Sequence, residues 1–121
     1  VVKSDEAKEK LAKSANIYNA PVAIIVCADT NKAWTRPFDG MKTTDIDASI
    51  ITDHMMLTAT ELGLGSVWIC YFKPDVIKEE FHLPLGLEPI NILALGYTKE
   101  KADANRHESQ RIPMNKFVSF L

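Results

Sequence analysis

The feature that most constrains the fold is the passage over residues 44–72, where a long helical pattern ends in two glycines and an apolar run follows at once. Glycine just past a helix favours a left-handed cap, and Gly63 stands at that position. One cap does not require two glycines, and a glycine beside a strand often marks a close approach of the backbone to another group. The passage therefore predicts a helix joined almost directly to a strand, with Gly65 beside a neighbour.

The order of these elements excludes a dinucleotide-binding fingerprint. That fingerprint needs a strand, then glycines, then a helix, so that the helix N-terminus faces the pyrophosphate. Here the helix comes first, and Trp68 stands where a third glycine would be needed. Phosphate loops of the G-x-x-x-x-G-K type and G-x-S-x-G elbows do not occur in the sequence either.

The predicted helix over residues 44–64 carries two apolar stripes rather than one. One stripe comprises Ile46, Ile50 and Leu57, and the nearly opposite stripe comprises Ala48, Ile51, Met55, Ala59 and Leu62. One apolar stripe suffices to dock a helix on a sheet, so two predict a second body on the far side, either another helix or a second subunit. Thr44 with Asp47 resembles a capping box at the start of the helix.

The other elements follow from apolar runs and their boundaries. Continuous apolar runs predict strands over 22–28, 66–72 and 88–97, buried on both faces, and FVSFL predicts a short final strand over 117–121. Helices are predicted over 5–16, after Ser4 as N-cap, and over 74–82. The polar segment 29–43 is a loop, in which Trp34 and Phe38 either pin the loop to the body or serve a function.

Length and charge bound the class of protein. The chain has 121 residues, enough for one domain, and a formal net charge of −2, which offers no basic field for nucleic acid. The longest apolar runs are too short to cross a bilayer, and the charged start VVKSDEAKEK does not resemble a signal peptide. These features predict a cytoplasmic protein without a nucleic-acid or membrane partner.

Cysteine and histidine usage predicts neither a disulfide nor a metal site. Cys27 and Cys70 lie inside apolar runs and are expected to be buried, unpaired side chains. His54, His82 and His107 are scattered, without a metal-ligand spacing. We therefore expect no metal.

Residues 45–97 carry a specific resemblance. The segment DIDASIITDHMMLTATELGLGSVWICYFKPDVIKEEFHLP, followed by EPINILALGY, resembles the nitroreductase family of FMN-dependent oxidoreductases. The upstream APVAIIVCAD and a downstream R-x-P agree with the family as well, so the resemblance extends over essentially residues 1–121 as a single domain. The residues VVKSDE resemble those that follow a W-x-F-I-V-V stretch in the family. We therefore expect the family's N-terminal segment, with its R-S-x-R-type phosphate motif, to be missing from residues 1–121.

The resemblance implies a fold and a cofactor site. It implies an α+β fold with a mixed central sheet flanked by helices, and a homodimer with the long central helix at its interface. FMN would bind with its ring against the backbone of Trp68, Ile69 and Cys70, beside Tyr71 and Gly65. Arg111 matches the basic residue that contacts the flavin phosphate, and Arg106 is the weaker candidate.

The resemblance also implies an activity. The protein would transfer hydride from NAD(P)H through flavin N5 to a small acceptor such as a nitroaromatic or a quinone, with no side chain needed as general acid or base. One alternative is a flavin-binding or dimerising protein without turnover. Another is a specialised family member, such as a reductive dehalogenase or a flavin-consuming enzyme, with the loop over 29–43 as its lid.

Overall fold

A computed structural model of the chain describes residues 1–98, 103 and 105–120. Its helices pack on a sheet whose described strands are all antiparallel, which confirms the α+β class. In chain order the elements are α1 (Asp5–Ala12), β1 (Val22–Asp29), α2 (Thr44–Glu61), β2 (Gly65–Ile69), α3 (Pro74–Glu80), β3 (Leu87–Gly96), α4 (Arg106–Gln110) and α5 (Met114–Phe117).

The three described strands form one sheet in the order β1-β3-β2. Both neighbouring pairs are antiparallel, so the mixed sheet implied by the resemblance is wrong for the described residues. The reason is that β3, the last of the three along the chain, lies between β1 and β2 and separates the two strands that run in the same direction. An isolated bridge between Val2 and Ala23 extends the outer edge of β1.

A bulge in the central strand accommodates a proline. Val26 pairs with Asn91 but Cys27 pairs with Pro89, so Ile90 is the extra residue. Proline has no N–H for the ladder and is tolerated within a sheet mainly at such irregularities. The bulge also resets which face of the sheet the side chains of β3 occupy.

Helices cover the two faces of the sheet unequally. One face meets α1 and α3 around a continuous core, comprising Val2, Leu11, Ala15, Ile17, Ala23, Ile69, Ile77, Ile92 and Ala94. The opposite face is covered by α2, whose buried residues are Ala48, Thr52 and Ala59. The strand pairs place Ile24, Asn91, Leu93 and Trp68 on that second face.

The ends of α2 confirm one cap and correct the other. Gly63 has φ +74°, and its N–H bonds the carbonyl of Thr60 while the N–H of Leu64 bonds that of Ala59. This is a Schellman cap, as predicted for Gly63. At the other end the helix begins at Thr44, so the N-cap is Thr43 rather than Thr44. The Thr43 hydroxyl donates to the Asp47 carboxylate at 2.7 Å and makes no capping bond to a backbone N–H.

Two element predictions are wrong. α1 ends at Ala12, not near residue 16. Beyond the helix, the Ser14 hydroxyl donates to the carbonyl of Lys73 at 2.8 Å, which ties this segment to the start of α3. The predicted strand over 117–121 is not formed either: Phe117 ends α5, residues 118–120 are irregular, and residue 121 lies outside the described residues. An apolar stretch without a neighbouring strand has no ladder to join.

The aromatic residues of the loop over 30–43 do not pin it to the body. Phe38 is 95% exposed and Trp34 58% exposed, so that prediction is wrong for both.

Polar contacts hold the loop instead. The Thr30 N–H donates to the Gly86 carbonyl at 2.8 Å, and Lys42 Nζ donates to the Thr30 carbonyl at 2.7 Å. Within the loop, Arg36 Nε donates to the Asp39 carboxylate at 2.7 Å. Asp39 consequently has a pKa below its ordinary value, chiefly through its bond to Arg36.

Candidate functional site

Strand β2 presents an open backbone edge. It pairs with β3 from Gly65 to Ile69 and is the last strand of the described sheet on that side. Its outer N–H and C=O groups pair with no strand among the described residues. An open edge of this kind is the part of a sheet best able to hydrogen-bond another molecule.

The predicted ring-wall residues follow one another along this edge, in different surroundings. Ile69 is buried in the core, and half-buried Trp68 has its indole Nε1 enclosed without a hydrogen-bond partner in the described part of the chain. Cys70 is exposed and Tyr71 is 95% exposed. The expected burial of Cys70 is therefore wrong, because β2 ends at Ile69 and the chain then leaves the sheet.

Gly65 has a close neighbour of its own in the structure. A Cβ added at this residue would lie 3.1 Å from Cβ of Thr98 and 3.4 Å from the carbonyl oxygen of Gly96. Contacts at the short distance are tighter than side chains ordinarily tolerate. The packing of β2 against the end of β3 therefore accounts for this glycine, and its contact with a cofactor stays a prediction.

The structure does not bring the two predicted arginines to the edge of β2. Arg106 begins α4 and Arg111 follows it, both exposed, and α4 packs against none of the other described elements. Neither arginine forms an ion pair with another residue that the structure describes. Both cations are thus available to an anion, although nothing in the fold fixes their position.

A small, mainly apolar pocket with several polar residues at its lining lies where β1 ends and α2 begins. Its volume is about 280 Å³, and its lining includes Cys27, Asp29, Lys32 and Asp47. Lys32 lies 3.5 Å from Asp29, and half-buried Cys27 has its thiol pKa raised by burial. Sequence reasoning did not single out this pocket, because its residues come from two elements that only the fold brings together.

An apolar groove runs beside α2. It has a volume of about 360 Å³ between the sheet residues Ile24 and Leu95 and the helix residues Ile51, Met55 and Leu62. Ile51 and Leu62 were assigned to one apolar stripe with Ala48 and Ala59, yet both are more than half exposed. The side of α2 that is buried against the sheet instead includes Thr52, a residue that the sequence analysis did not place in the interior.

The second apolar stripe of α2 faces away from the sheet. Ile46, Ile50 and Leu57 are each about half exposed or more, at 48%, 51% and 62%. Within residues 1–98, 103 and 105–120, no element covers them. The far-side body that the two stripes predicted is therefore not supplied by the described part of the chain.

The described residues contain neither a metal-binding cluster nor a membrane-spanning helix. No group of three or more His, Cys, Asp or Glu side chains among them is arranged to hold a metal ion. None of the helices that the structure describes combines the length and apolar character needed to cross a membrane.

Comparison with known proteins places these features in a family. The model of the nitroreductase family matches residues 1–97. The crystal structure of a nitroreductase family protein from Clostridium difficile 630 is 59% identical, with a TM-score of 0.94 over 98% of this chain and 70% of that one. An FMN-dependent nitroreductase from Clostridium difficile R20291 is 30% identical, with a TM-score of 0.70 over 93% of this chain and 69% of that one.

A curated relative extends the comparison. A protein of Methanothermobacter thermautotrophicus named as an NADH dehydrogenase/NAD(P)H nitroreductase is 32% identical over 108 residues, which is 83% of this chain. A protein of Archaeoglobus fulgidus with the same name is 30% identical over 85% of this chain. The chain spans 54% and 62% of the length of these two relatives.

Proposed function

This chain belongs to the nitroreductase family, and on that basis we propose that it binds FMN and acts as an NAD(P)H-dependent oxidoreductase on a small acceptor such as a nitroaromatic or a quinone. The similarity to an FMN-dependent nitroreductase supports the choice of cofactor. The relatives named as NAD(P)H nitroreductases support the choice of electron donor.

The observation that carries the proposal is the open outer edge of β2, which leads to exposed Cys70 and Tyr71. A flavin ring presents nitrogen and oxygen acceptors along its rim, and unpaired backbone N–H groups are suitable donors to them. Ile69 is anchored in the core and Trp68 is half-buried beneath α2, so the backbone between these side chains is held in place. The residues present therefore fit the ring, with Trp68, Ile69, Cys70 and Tyr71 holding it through their main chain.

Arg111 and Arg106 would serve the other end of the cofactor. Guanidinium groups bind phosphate oxygens in a bidentate manner, and both of these are exposed and free of ion pairs in the described part of the chain. FMN, when bound, supplies the hydride chemistry between nicotinamide and acceptor. The chain's own part would be to hold the ring through the main chain at the edge of β2 and to neutralise the phosphate with Arg111 and Arg106. We assign no general acid or base.

We also propose that a second copy of the chain covers the outward stripe of α2. Three large aliphatic side chains on one helix, Ile46, Ile50 and Leu57, are exposed together. Because each is already about half buried, complete burial would contribute about 0.7–1.5 kcal/mol per side chain. A stripe of this kind along an 18-residue helix suits a two-fold interface between identical helices.

The first test is direct. Purified protein titrated with FMN should show a perturbed flavin spectrum, and the complex should oxidise NADH or NADPH in the presence of a quinone. If the flavin spectrum does not change at any FMN concentration, the proposal fails for this chain. FMN binding without NAD(P)H oxidation would instead support the alternative of a flavin-binding protein without turnover.

A matched pair of variants tests the backbone contact. Cys70→Pro removes the amide N–H at an exposed position, whereas Cys70→Ala removes the thiol and keeps the amide. Loss of one hydrogen bond to the ring of about 1–1.5 kcal/mol should weaken FMN binding roughly tenfold in Cys70→Pro and leave Cys70→Ala unchanged. Equal affinity in the two variants would contradict a contact through this amide.

A further inference from the structure

Thr52 and Asn91 form a buried polar pair between α2 and the central strand. Thr52 is 0% exposed and Asn91 is 1% exposed, and Thr52 Oγ1 lies 3.1 Å from Asn91 Oδ1. The single hydroxyl hydrogen of Thr52 is shared between this amide oxygen and the carbonyl of Ala48, which lies 2.8 Å from Oγ1. Asn91 Nδ2 has no hydrogen-bond partner among the described residues. The pair is therefore the one described side-chain hydrogen bond that joins α2 to the sheet, and it is incompletely satisfied.

Stability alone does not account for this pair. An apolar pair of the same shape in place of two buried hydrogen-bonding groups is often neutral or stabilising, because the desolvation cost disappears with the bond. Here that cost is larger than usual, since both N–H donors of Asn91 Nδ2 stay unpaired among the described residues. A buried pair that stabilises little is suited to specifying an arrangement instead.

Hydrophobic burial does not specify which side of α2 should face the sheet. The docked side buries the small residues Ala48, Thr52 and Ala59, while its larger members Ile51 and Leu62 stay more than half exposed beside the sheet. The outward side presents Ile46, Ile50 and Leu57 at similar exposures. Because the gain from burial is roughly proportional to the apolar area removed from water, it discriminates only weakly between the two sides. Small side chains also form a smooth surface, which leaves the position of the helix along its axis poorly defined.

We infer that the hydrogen bond between Thr52 and Asn91 selects the docked side of α2. The bulge at Ile90 fixes the register that puts Asn91 on the face covered by α2. With the isoleucine side docked instead, Asn91 would lose its partner and its whole amide would be buried unpaired, which is a strong penalty against that arrangement. The Asn91 amide thus favours docking of the side of α2 that carries Thr52 over docking of the opposite side.

The selection has a consequence for the proposed cofactor site, and this part rests on the proposed function. With the docked side fixed, Ile46, Ile50 and Leu57 face outward and remain available to a second copy. Only residues 62–64 separate α2 from β2, so the orientation of the helix also sets where the edge of β2 begins. Thr52 and Asn91 are positioning residues for the edge that would hold FMN.

The double variant Thr52→Val/Asn91→Leu tests the inference. We expect its urea midpoint to equal or exceed that of the parent protein, while the amides of α2 exchange with solvent at least tenfold faster or give two sets of NMR signals. The control is Thr60→Val, an exposed threonine whose hydroxyl bonds the carbonyl of Met56 at 3.0 Å in the same manner but has no partner on the sheet. A double variant with one set of signals and parental protection of α2 overturns the inference.

A second pair of variants decides the matter if the double variant does not fold. Thr52→Ser keeps the hydroxyl and Thr52→Val keeps the shape, so faster exchange of α2 is expected only in the valine variant. Equal exchange in the two overturns the inference. These measurements need no cofactor, so a parent protein that fails to bind FMN refutes the proposed function and leaves the selection of the docked side to be decided by exchange.

Discussion

The Schellman cap at Gly63 gives a prediction whose magnitude follows from the backbone alone. Gly63 has φ +74°, and no heavy atom lies within 4 Å of where a Cβ would stand. Alanine at this site therefore meets no clash, and the effect of Gly63→Ala is purely conformational. The left-handed conformation costs an L-residue about 1–2 kcal/mol. Alanine also lowers the conformational entropy of the unfolded chain, which offsets about 0.4–1 kcal/mol of this destabilisation.

We accordingly expect Gly63→Ala to lower the free energy of unfolding by roughly 1 kcal/mol. For a chain of this size that corresponds to a fall of about 4 °C in Tm. Gly63→Asn should fall between the parent protein and the alanine variant, because asparagine tolerates the left-handed region better than alanine does. Urea denaturation followed by circular dichroism measures all three proteins under the same conditions.

Gly40 supplies an internal control for the same substitution. It also has φ +74° and nothing within 4 Å of a Cβ, but it lies in the loop over 30–43 rather than at a helix end. Gly40→Ala should lower the free energy of unfolding by a similar amount, with no change in the helical content of the folded protein. If Gly63→Ala is as stable as the parent protein, or if Gly63→Asn is less stable than Gly63→Ala, the conformational argument is refuted.

Three further predictions concern the core, the thiols and the outward stripe of α2. Ile77→Ala leaves a cavity at a fully buried site and should lower the free energy of unfolding by about 2–5 kcal/mol. Leu85→Ala, at a fully exposed site, should change it by less than about 0.5 kcal/mol. Urea denaturation measures both variants, and similar losses of unfolding free energy would contradict the assignment of Ile77 to the core. Because burial raises the pKa of Cys27, its thiolate fraction at pH 8 is smaller than that of an ordinary thiol. Iodoacetamide labelling followed by mass spectrometry should therefore modify exposed Cys70 first, and the difference between the two labelling rates should narrow as pH rises through the pKa of Cys27. Faster labelling of Cys27 than of Cys70 would refute this. Ile50→Lys should shift a homodimer to monomer in light scattering without lowering the urea midpoint of the monomer, while Thr58→Lys at an exposed position on the flank of the same helix should not, and an unchanged mass for Ile50→Lys would count against the proposed interface.

Local patterns predicted most of the secondary structure. Apolar runs located β1, β2 and β3, and the two glycines after residue 62 located the end of α2, because strands and caps depend on short-range side-chain chemistry. The order of the strands was not accessible in the same way. Nothing local to β3 distinguishes a central from an edge strand, and the bulge at Ile90 that accommodates Pro89 exists only in the pairing with β1.

The candidate site was predictable to the same extent. Trp68 to Tyr71 are consecutive, so any fold keeps them together, and the structure adds that they follow an open edge. Exposure of Cys70 and Phe38 could not be predicted, since an apolar residue signals burial only when an element covers it. Thr52 was missed because a threonine on a helix is usually exposed, and only the partner on β3 explains its burial.

The position of β3 between its neighbours also bears on biosynthesis. The two strands made first, β1 and β2, are not neighbours and have no ladder to form until β3 leaves the ribosome. From Ile69, where β2 ends, to Gly96 the chain takes roughly 1–5 s to synthesise at ordinary elongation rates. During that interval both stripes of α2 and two unpaired strands are exposed together on the nascent chain. We expect this window to be the stage at which a chaperone protects the chain, and the emergence of residues 87–96 to end it.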